Sequence, residues 1–248
     1  TLTDETRYYS TLLVTGPRSR DLLTSLSDDD FGNNAFPWLS HRPVTVAGVA
    51  MTALRVSFTG EMGWELHLPV NQTEAVYDAL FAAGAEVNLR PFGMLALDSM
   101  RLEKGYRSWK GDLTSDYNMY DCGLGRWVHL SKDSFIGRDA LAALKQGPRR
   151  QFVTLAIEDP EDGVGFGEAV YLSSVFTDNS RNDIAGLVLA GGYGHRTGTS
   201  LALAVLEAGQ DAAIGRELSV EVVGRVRTAR IIAHTEASYD KDNLLLKG

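Results

Sequence analysis

The stretch Arg55-Val-Ser-Phe-Thr-Gly-Glu-Met-Gly-Trp-Glu-Leu-His-Leu68 sets a carboxylate and an imidazole at alternate positions among large apolar residues. It reads as two strands with a glycine-studded corner between them. Successive side chains of an extended chain point to opposite faces, so Trp64, Leu66 and Leu68 share one face while Glu65 and His67 share the other. By this pattern alone Glu65 faces water.

Further along, Asp98 and Arg101 stand three residues apart on an expected helix, close to Glu103, a spacing that predicts a surface ion pair. The loop Tyr106-Arg-Ser-Trp-Lys-Gly-Asp112 sets Trp109 near Gly111, which would make a flat, rigid wall for a planar ligand. The run Ala190-Gly-Gly-Tyr-Gly-His195 lacks the GxxxxGK[ST] spacing and opens no helix, so it reads as a tight strand connection rather than a phosphate cradle. There is no GxSxG, no HExxH and no Cys/His motif pair, and the five histidines are scattered.

The elements that must position these residues follow from periodicity. A strand is expected over 9–14, then a helix whose start is marked by Pro17 and whose stripe is Leu22, Leu23 and Leu26. A hairpin joins 44–46 to 49–58 through Ala47-Gly48. Asn71 and Glu74 form a capping-box pattern ahead of a helix with Val76, Tyr77, Leu80 and Phe81 on its apolar stripe and Gly84 at its end. A helix over 92–104 ends at Gly105, residues 106–125 are irregular, and a strand at 127–130 and a helix at 138–145 complete a mixed α/β half. Residues 145–150 mark a boundary, giving domains 1–147 and 148–248. Beyond it, β-like runs at 152–157, 169–172, 184–190, 201–206, 218–223 and 226–233 predict a small antiparallel barrel, interrupted by an acidic, glycine-rich loop at 158–167.

Composition narrows the function classes. With 248 residues and 44% hydrophobic content the chain has material for two cores. A net charge of −8 without a basic run speaks against nucleic acid and anionic membranes, leaving small molecules or proteins as partners. The single Cys122 forms no internal disulfide and belongs to no metal-ligand pattern, which points to a reducing compartment, the cytoplasm, and to no structural metal. No apolar run reaches membrane-spanning length. The chain lacks an initiator Met and enters a strand almost at once, which reads as a cut end.

The segments FTGEMGWEL, RPFGMLALDSMRLEKGYRSWKGDLT, CGLGRWV, FIGRDAL, GGYGHRTGTSLAL and ARIIAHTEASYD resemble, in order and across nearly the whole chain, the folate-dependent aminomethyltransferase family. This family comprises the glycine-cleavage T-protein and the C-terminal folate domains of dimethylglycine and sarcosine dehydrogenases or oxidases, and the dehydrogenase branch is the nearer. The resemblance implies an α+β fold, with an N-terminal mixed α/β (ferredoxin-like) part and a C-terminal antiparallel β-barrel around a tetrahydrofolate site. It implies that Glu65 binds the pterin, whose 2-amino and N3–H groups are parallel donors that one carboxylate accepts together.

Phe58 stands at the motif's usual Tyr position and His67 is the next side chain on the Glu65 face. Arg126 replaces a commonly aromatic residue near the folate, Leu97 replaces a folate-contacting Arg of T-proteins, and Tyr239 matches a C-terminal family tyrosine; with Trp109 these complete the expected site. The family's catalytic aspartate precedes the segment matched by Leu12–Pro17, so no residue here is assigned that role. The implied parent carries FAD in a missing N-terminal portion, oxidises a small methylated amine, and passes a methylene unit to tetrahydrofolate; the alternatives are a stand-alone aminomethyl- or methyltransferase and a non-catalytic folate-binding protein.

Overall fold

In the first part of the chain, strands form where apolar and polar residues alternate. The computed structural model describes residues 1–147, 150–158, 163–172, 183–234 and 236–248; Pro148 and Arg149 of the expected boundary and 159–162 of the acidic loop lie outside the described residues. The chain divides into two compact units, Thr1–Leu97 with Asp242–Gly248, and Asp98–Lys241.

The first unit is built on a four-stranded antiparallel sheet of β1 (Tyr9–Thr15), β2 (His41–Val46), β3 (Val49–Leu54) and β4 (Gly63–Pro69), in the order β1-β4-β3-β2. Helix α1 (Ser19–Ser25) follows Pro17 and buries Leu22 and Leu23. Trp64, Leu66 and Leu68 are each 0% exposed and join Phe31, Phe36, Val76 and Leu80 in one core. Phe31 and Phe36 approach the Trp64 ring edge-on at 5.6 and 6.3 Å. The β2–β3 turn has Ala47 and Gly48 both at positive φ, 51° and 76°, the two-residue turn whose twist matches a hairpin.

Two local expectations for this unit are corrected. The strand from Val49 ends at Leu54, not Phe58: the Arg55 N–H still donates to the Ser40 carbonyl in the β2–β3 register, but the Val56 N–H turns back to the Leu54 carbonyl and breaks the extended chain. The Asn71/Glu74 capping box does not form: a 3₁₀ turn over Val70–Gln72 leads into α2 (Thr73–Gly84), whose N-cap, Gln72, makes no side-chain cap bond. The Val70 N–H is already held by the Tyr8 carbonyl, which fixes the entry to the helix from β1's side.

Helix α3 (Met94–Glu103) runs across the division of the chain, and Gly105, at φ +63°, closes it as Tyr106 N–H reaches back to the Arg101 carbonyl. In the second unit the expected strand at 127–130 is absent. A 3₁₀ turn over Gly125–Trp127 satisfies those backbone groups locally, with Trp127 and Val128 donating to Leu124 and Gly125. Helix α4 (Arg138–Leu144) follows. Then β5 (Arg150–Ile157), β6 (Ala169–Tyr171), β7 (Ile184–Gly194), β8 (Thr199–Glu207), β9 (Glu217–Val222) and β10 (Arg225–Ala233) close an antiparallel barrel in the order β10-β5-β8-β7-β6-β9. Closure removes free strand edges and encloses Val153, Leu155, Val188, Ala204, Leu206 and Val220, all 0% exposed.

The glycine-rich run does not form the turn predicted for it. Residues 190–194 continue β7, and the reversal comes later, where Gly198 at φ +65° donates to the Gly194 carbonyl. Glycine is needed here for close approach: a Cβ on Gly191 would lie 2.4 Å from the Val164 carbonyl oxygen, and one on Gly186, earlier in β7, 2.0 Å from that of Val205. A last short helix, α5 (Leu244–Lys247), belongs to the first unit. Among the described residues no helix is long and apolar enough to cross a membrane. The barrel predicts its own weak point: Gly186→Ala forces β7 away from β8 and lowers stability by about 1–3 kcal/mol in chemical denaturation.

Candidate functional site

Glu65 and His67 lie on the sheet face opposite Trp64, both half-buried, with 38% and 36% of their side chains exposed. The register sets Leu13 and Leu54 on either side of Glu65, and Thr11 and Thr52 on either side of His67. Thr11 Oγ1 is 3.2 Å from His67 Nδ1, and His67 Nε2 is 3.3 Å from Glu65 Oε2. When the Thr11 hydroxyl donates to Nδ1, the Nε2–H points at the carboxylate, so the imidazole orients Glu65 through one oxygen.

Phe58 is half-buried in the turn that precedes β4. That turn is tied to β1 and α1 by short bonds: Thr59 Oγ1 to Thr15 Oγ1 at 2.8 Å, Gly16 N–H to the Met62 carbonyl at 2.8 Å, and the Ser19 hydroxyl to the same carbonyl at 3.1 Å. Gly63 begins β4 where a Cβ would come within 3.0 Å of the Val14 carbonyl oxygen, so the motif's second glycine admits the neighbouring strand. In the same unit an apolar cavity of about 390 Å³ is lined by Leu13, Thr15, Tyr77, Phe81, Phe92 and Leu97. Its wall shares Leu13 with the surroundings of Glu65, and Tyr77 and Phe81, one turn apart on α2, line it with tilted rings whose centres are 4.6 Å apart. An apolar, aromatic-lined space of this kind suits a flat ligand.

The remaining expected residues belong to the second unit. Trp109 is 78% exposed and walls a separate cavity of about 610 Å³ with Leu113, Tyr117, Met119, Cys122 and Leu124. Arg126 is exposed, its guanidinium 5.3 Å from the Trp127 ring centre. Tyr239 is tied down: its N–H donates to the Glu103 carbonyl at 3.0 Å, its carbonyl accepts from Lys104 Nζ at 3.1 Å, and the Arg196 guanidinium sits 5.6 Å from its ring centre.

The expected Asp98–Arg101 pair forms on α3, but its arginine is buried rather than on the surface. Arg101 has a side chain only 4% exposed and bonds Asp112, 1% exposed, at 2.5 Å, as well as Asp98 at 3.0 Å and the Tyr106 carbonyl. Glu103, also buried, accepts the N–H groups of Arg196 and Thr197 through Oε1 at 2.9 and 2.7 Å. Lys104 is buried against the Tyr239 and Asp240 carbonyls, with the Asp240 carboxylate 3.6 Å away. Sequence reasoning missed this network because its partners lie in irregular loops far along the chain; the sole local signal was the density of charge over Asp98–Lys104. Cys122 lines the Trp109 cavity, and burial pushes its thiol up to about 11.

Comparison with known proteins adds an independent line. Residues 1–132 match the GCVT N-terminal domain family model and residues 150–238 the glycine cleavage T-protein C-terminal barrel domain. Mouse mitochondrial sarcosine dehydrogenase is 34% identical over 100% of the chain, and mouse mitochondrial dimethylglycine dehydrogenase 31% identical over 93%. The chain spans only 27% and 25% of those proteins. An aminomethyltransferase of Symbiobacterium thermophilum is 32% identical over 93% of the chain and 60% of its own length. The crystal structure of aminomethyltransferase T from Bartonella henselae superposes with a TM-score of 0.74 at 23% identity, covering 91% of the chain and 58% of that protein, a likeness of fold.

Three outcomes follow for the second unit. Asp112→Ala strands the buried Arg101 and lowers stability by about 3 kcal/mol in denaturant titration. The raised Cys122 thiol stays protonated at pH 8, so alkylation of the native chain runs on the order of a hundredfold slower than that of the unfolded chain. Because its folded pKa lies above the ordinary 9.0, the stability linked to this thiol is present below pH 9 and is lost as pH rises toward 11, a fall that Cys122→Ala removes.

Proposed function

Because the chain belongs to the glycine cleavage T-protein family, we propose that it is the tetrahydrofolate-binding, one-carbon-transfer portion of a dimethylglycine/sarcosine dehydrogenase-like enzyme. The observation that carries this reading is the state of Glu65. One carboxylate oxygen is held by His67, while the other has no hydrogen-bond partner among the described residues, and Leu13, the register partner of Glu65, lines an apolar, aromatic-lined cavity. A carboxylate held in this way accepts the paired N–H donors on a pterin edge, and charge-assisted bonds of this kind are the stronger ones.

When bound, tetrahydrofolate supplies the nitrogens that take up a methylene unit from an oxidised N-methyl amine. Glu65 orients the ring edge, His67 fixes the Glu65 rotamer, and Phe58 offers a face for packing without a hydroxyl donor. For Trp109, Arg126 and Tyr239 the reading rests on family resemblance. Leu97 lines the first unit's cavity with an aliphatic side chain, which favours the dehydrogenase branch over the T-protein itself. No residue is assigned to proton transfer. Oxidation of the amine with FAD is assigned to sequence outside these residues, in keeping with the chain's span of about a quarter of the dehydrogenase relatives.

Calorimetric titration with a reduced folate tests the assignment. Glu65→Gln keeps the shape but loses the charge and the second acceptor, and the dissociation constant rises by about 10- to 100-fold, the equivalent of about 1.5–3 kcal/mol for hydrogen bonds to a charged group. Native-like affinity in Glu65→Gln and Glu65→Ala alike sinks the role of Glu65.

A further inference from the structure

The segment Asp242–Gly248 ends the chain yet packs within the first unit, and its partner there is an arginine that sequence reading left without a role. Arg55 directly follows β3 and is 1% exposed. Its Nη1–H donates to the Phe36 carbonyl at 2.7 Å, its Nη2–H donates to the Lys247 carbonyl, and its guanidinium lies 5.6 Å from the Trp64 ring centre. Burial and the neighbouring Arg20 charge depress its pKa. Among the described residues its hydrogen-bond acceptors are main-chain carbonyls, contributed by segments far apart in sequence, and its Nε–H has no hydrogen-bond partner. A buried cation held by neutral acceptors persists only while those acceptors stay in place.

The tail is seated at further points. Leu246 is 1% exposed, Asn33 Nδ2 donates to the Gly248 carbonyl at 2.7 Å, and Lys247 Nζ lies 5.6 Å from the Trp38 ring centre. Arg20 holds Asn33 Oδ1 at 2.5 Å and the Phe31 carbonyl at 3.1 Å. Gly248, at φ +73°, lies so close that a Cβ would be 2.8 Å from Met62 Sδ. Met62 is the last residue of the turn before Gly63, and its carbonyl receives the bonds that tie that turn to β1 and α1.

We infer that Arg55 and Asp242–Gly248 form a clasp that positions the 55–62 turn and, through it, the start of the strand carrying Glu65. Arg55 is a positioning residue. The clasp stands on the first unit's geometry alone, whereas its effect on ligand affinity rests on the reading of Glu65 given above.

Amide hydrogen exchange on the ligand-free full chain, followed by titration with a reduced folate, tests it with Arg55→Met, Leu246→Ala and the double variant. Leu246→Ala speeds exchange at 57–63 on the order of tenfold while amides of β5 and β8 keep native rates. The effects of Arg55→Met and Leu246→Ala do not add, because each opens the same clasp. Arg55→Lys restores little, since one ammonium lacks the fork that spans both carbonyls. Native exchange at 57–63 in Leu246→Ala, or additive effects in the double variant, overturns the clasp; should Arg55→Met not fold, Leu246→Ala decides alone. If Glu65→Gln loses folate and Leu246→Ala does not, the positioning role falls. If exchange responds as expected while Glu65→Gln binds folate normally, the clasp stands and the folate reading falls.

Discussion

The two-residue period of β4 governs both the core and the site of the first unit. Trp64, Leu66 and Leu68, at 0% exposure, commit one face of the strand to the interior. A slip of register by one residue would bring Glu65 and His67 into that interior and turn Trp64 outward, at the cost of a buried charge and a lost aromatic cluster. The packing that makes the sheet stable therefore also fixes which side chains remain outside it. Leu13 and Thr11 on β1, brought opposite Glu65 and His67 by the same register, complete the immediate surroundings of the carboxylate.

Buried charge organises the segments that periodicity leaves undetermined. Arg101 is satisfied by carboxylates, Lys104 by carbonyls with a carboxylate nearby, and Arg55 by carbonyls. Such groups contribute little net stability compared with apolar residues of the same volume, but removing a partner is costly, so each one selects a single arrangement of the backbone that faces it. In the second unit this holds the irregular chain after α3: Asp112 accepts the Ser108 N–H at 2.7 Å while pairing with Arg101, and Glu103 captures the β7–β8 turn. The loop bearing Trp109 is thus fixed at its base even though its indole is exposed.

These two kinds of constraint explain how much was legible in the sequence. Strands β5 to β10 and helices α1 to α4 carry their own signal in alternation, stripes and glycine stops, and the alternation along β4 set Glu65 and His67 on one face. The misreadings fall where a distant partner decides. The Arg55 side chain, just past the end of β3, is held from positions 36 and 247. The Arg101 pair is buried because Asp112 folds under it, and the glycines at 191 and 192 lie within a strand because the neighbouring chain comes close to Gly191. No window of local sequence holds that information. The shared face of Glu65 and His67, set by strand alternation, was readable, while the contacts around them, from Thr11 at His67 to Gly248 at Met62, were not.

The partial exposure of Glu65 has a physical logic of its own. A fully buried carboxylate with a free oxygen would carry a desolvation penalty that the fold would have to offset, and it would shift toward the neutral form, which accepts poorly. A fully exposed one would keep its water shell and sample several rotamers, so that a ligand would have to order the side chain as well as displace water. At 38% exposure, with His67 3.3 Å from one oxygen, the Glu65 side chain keeps part of its hydration and is tethered at one end. An oxygen presented in this way accepts from water, and a ligand with matched N–H donors would replace that water.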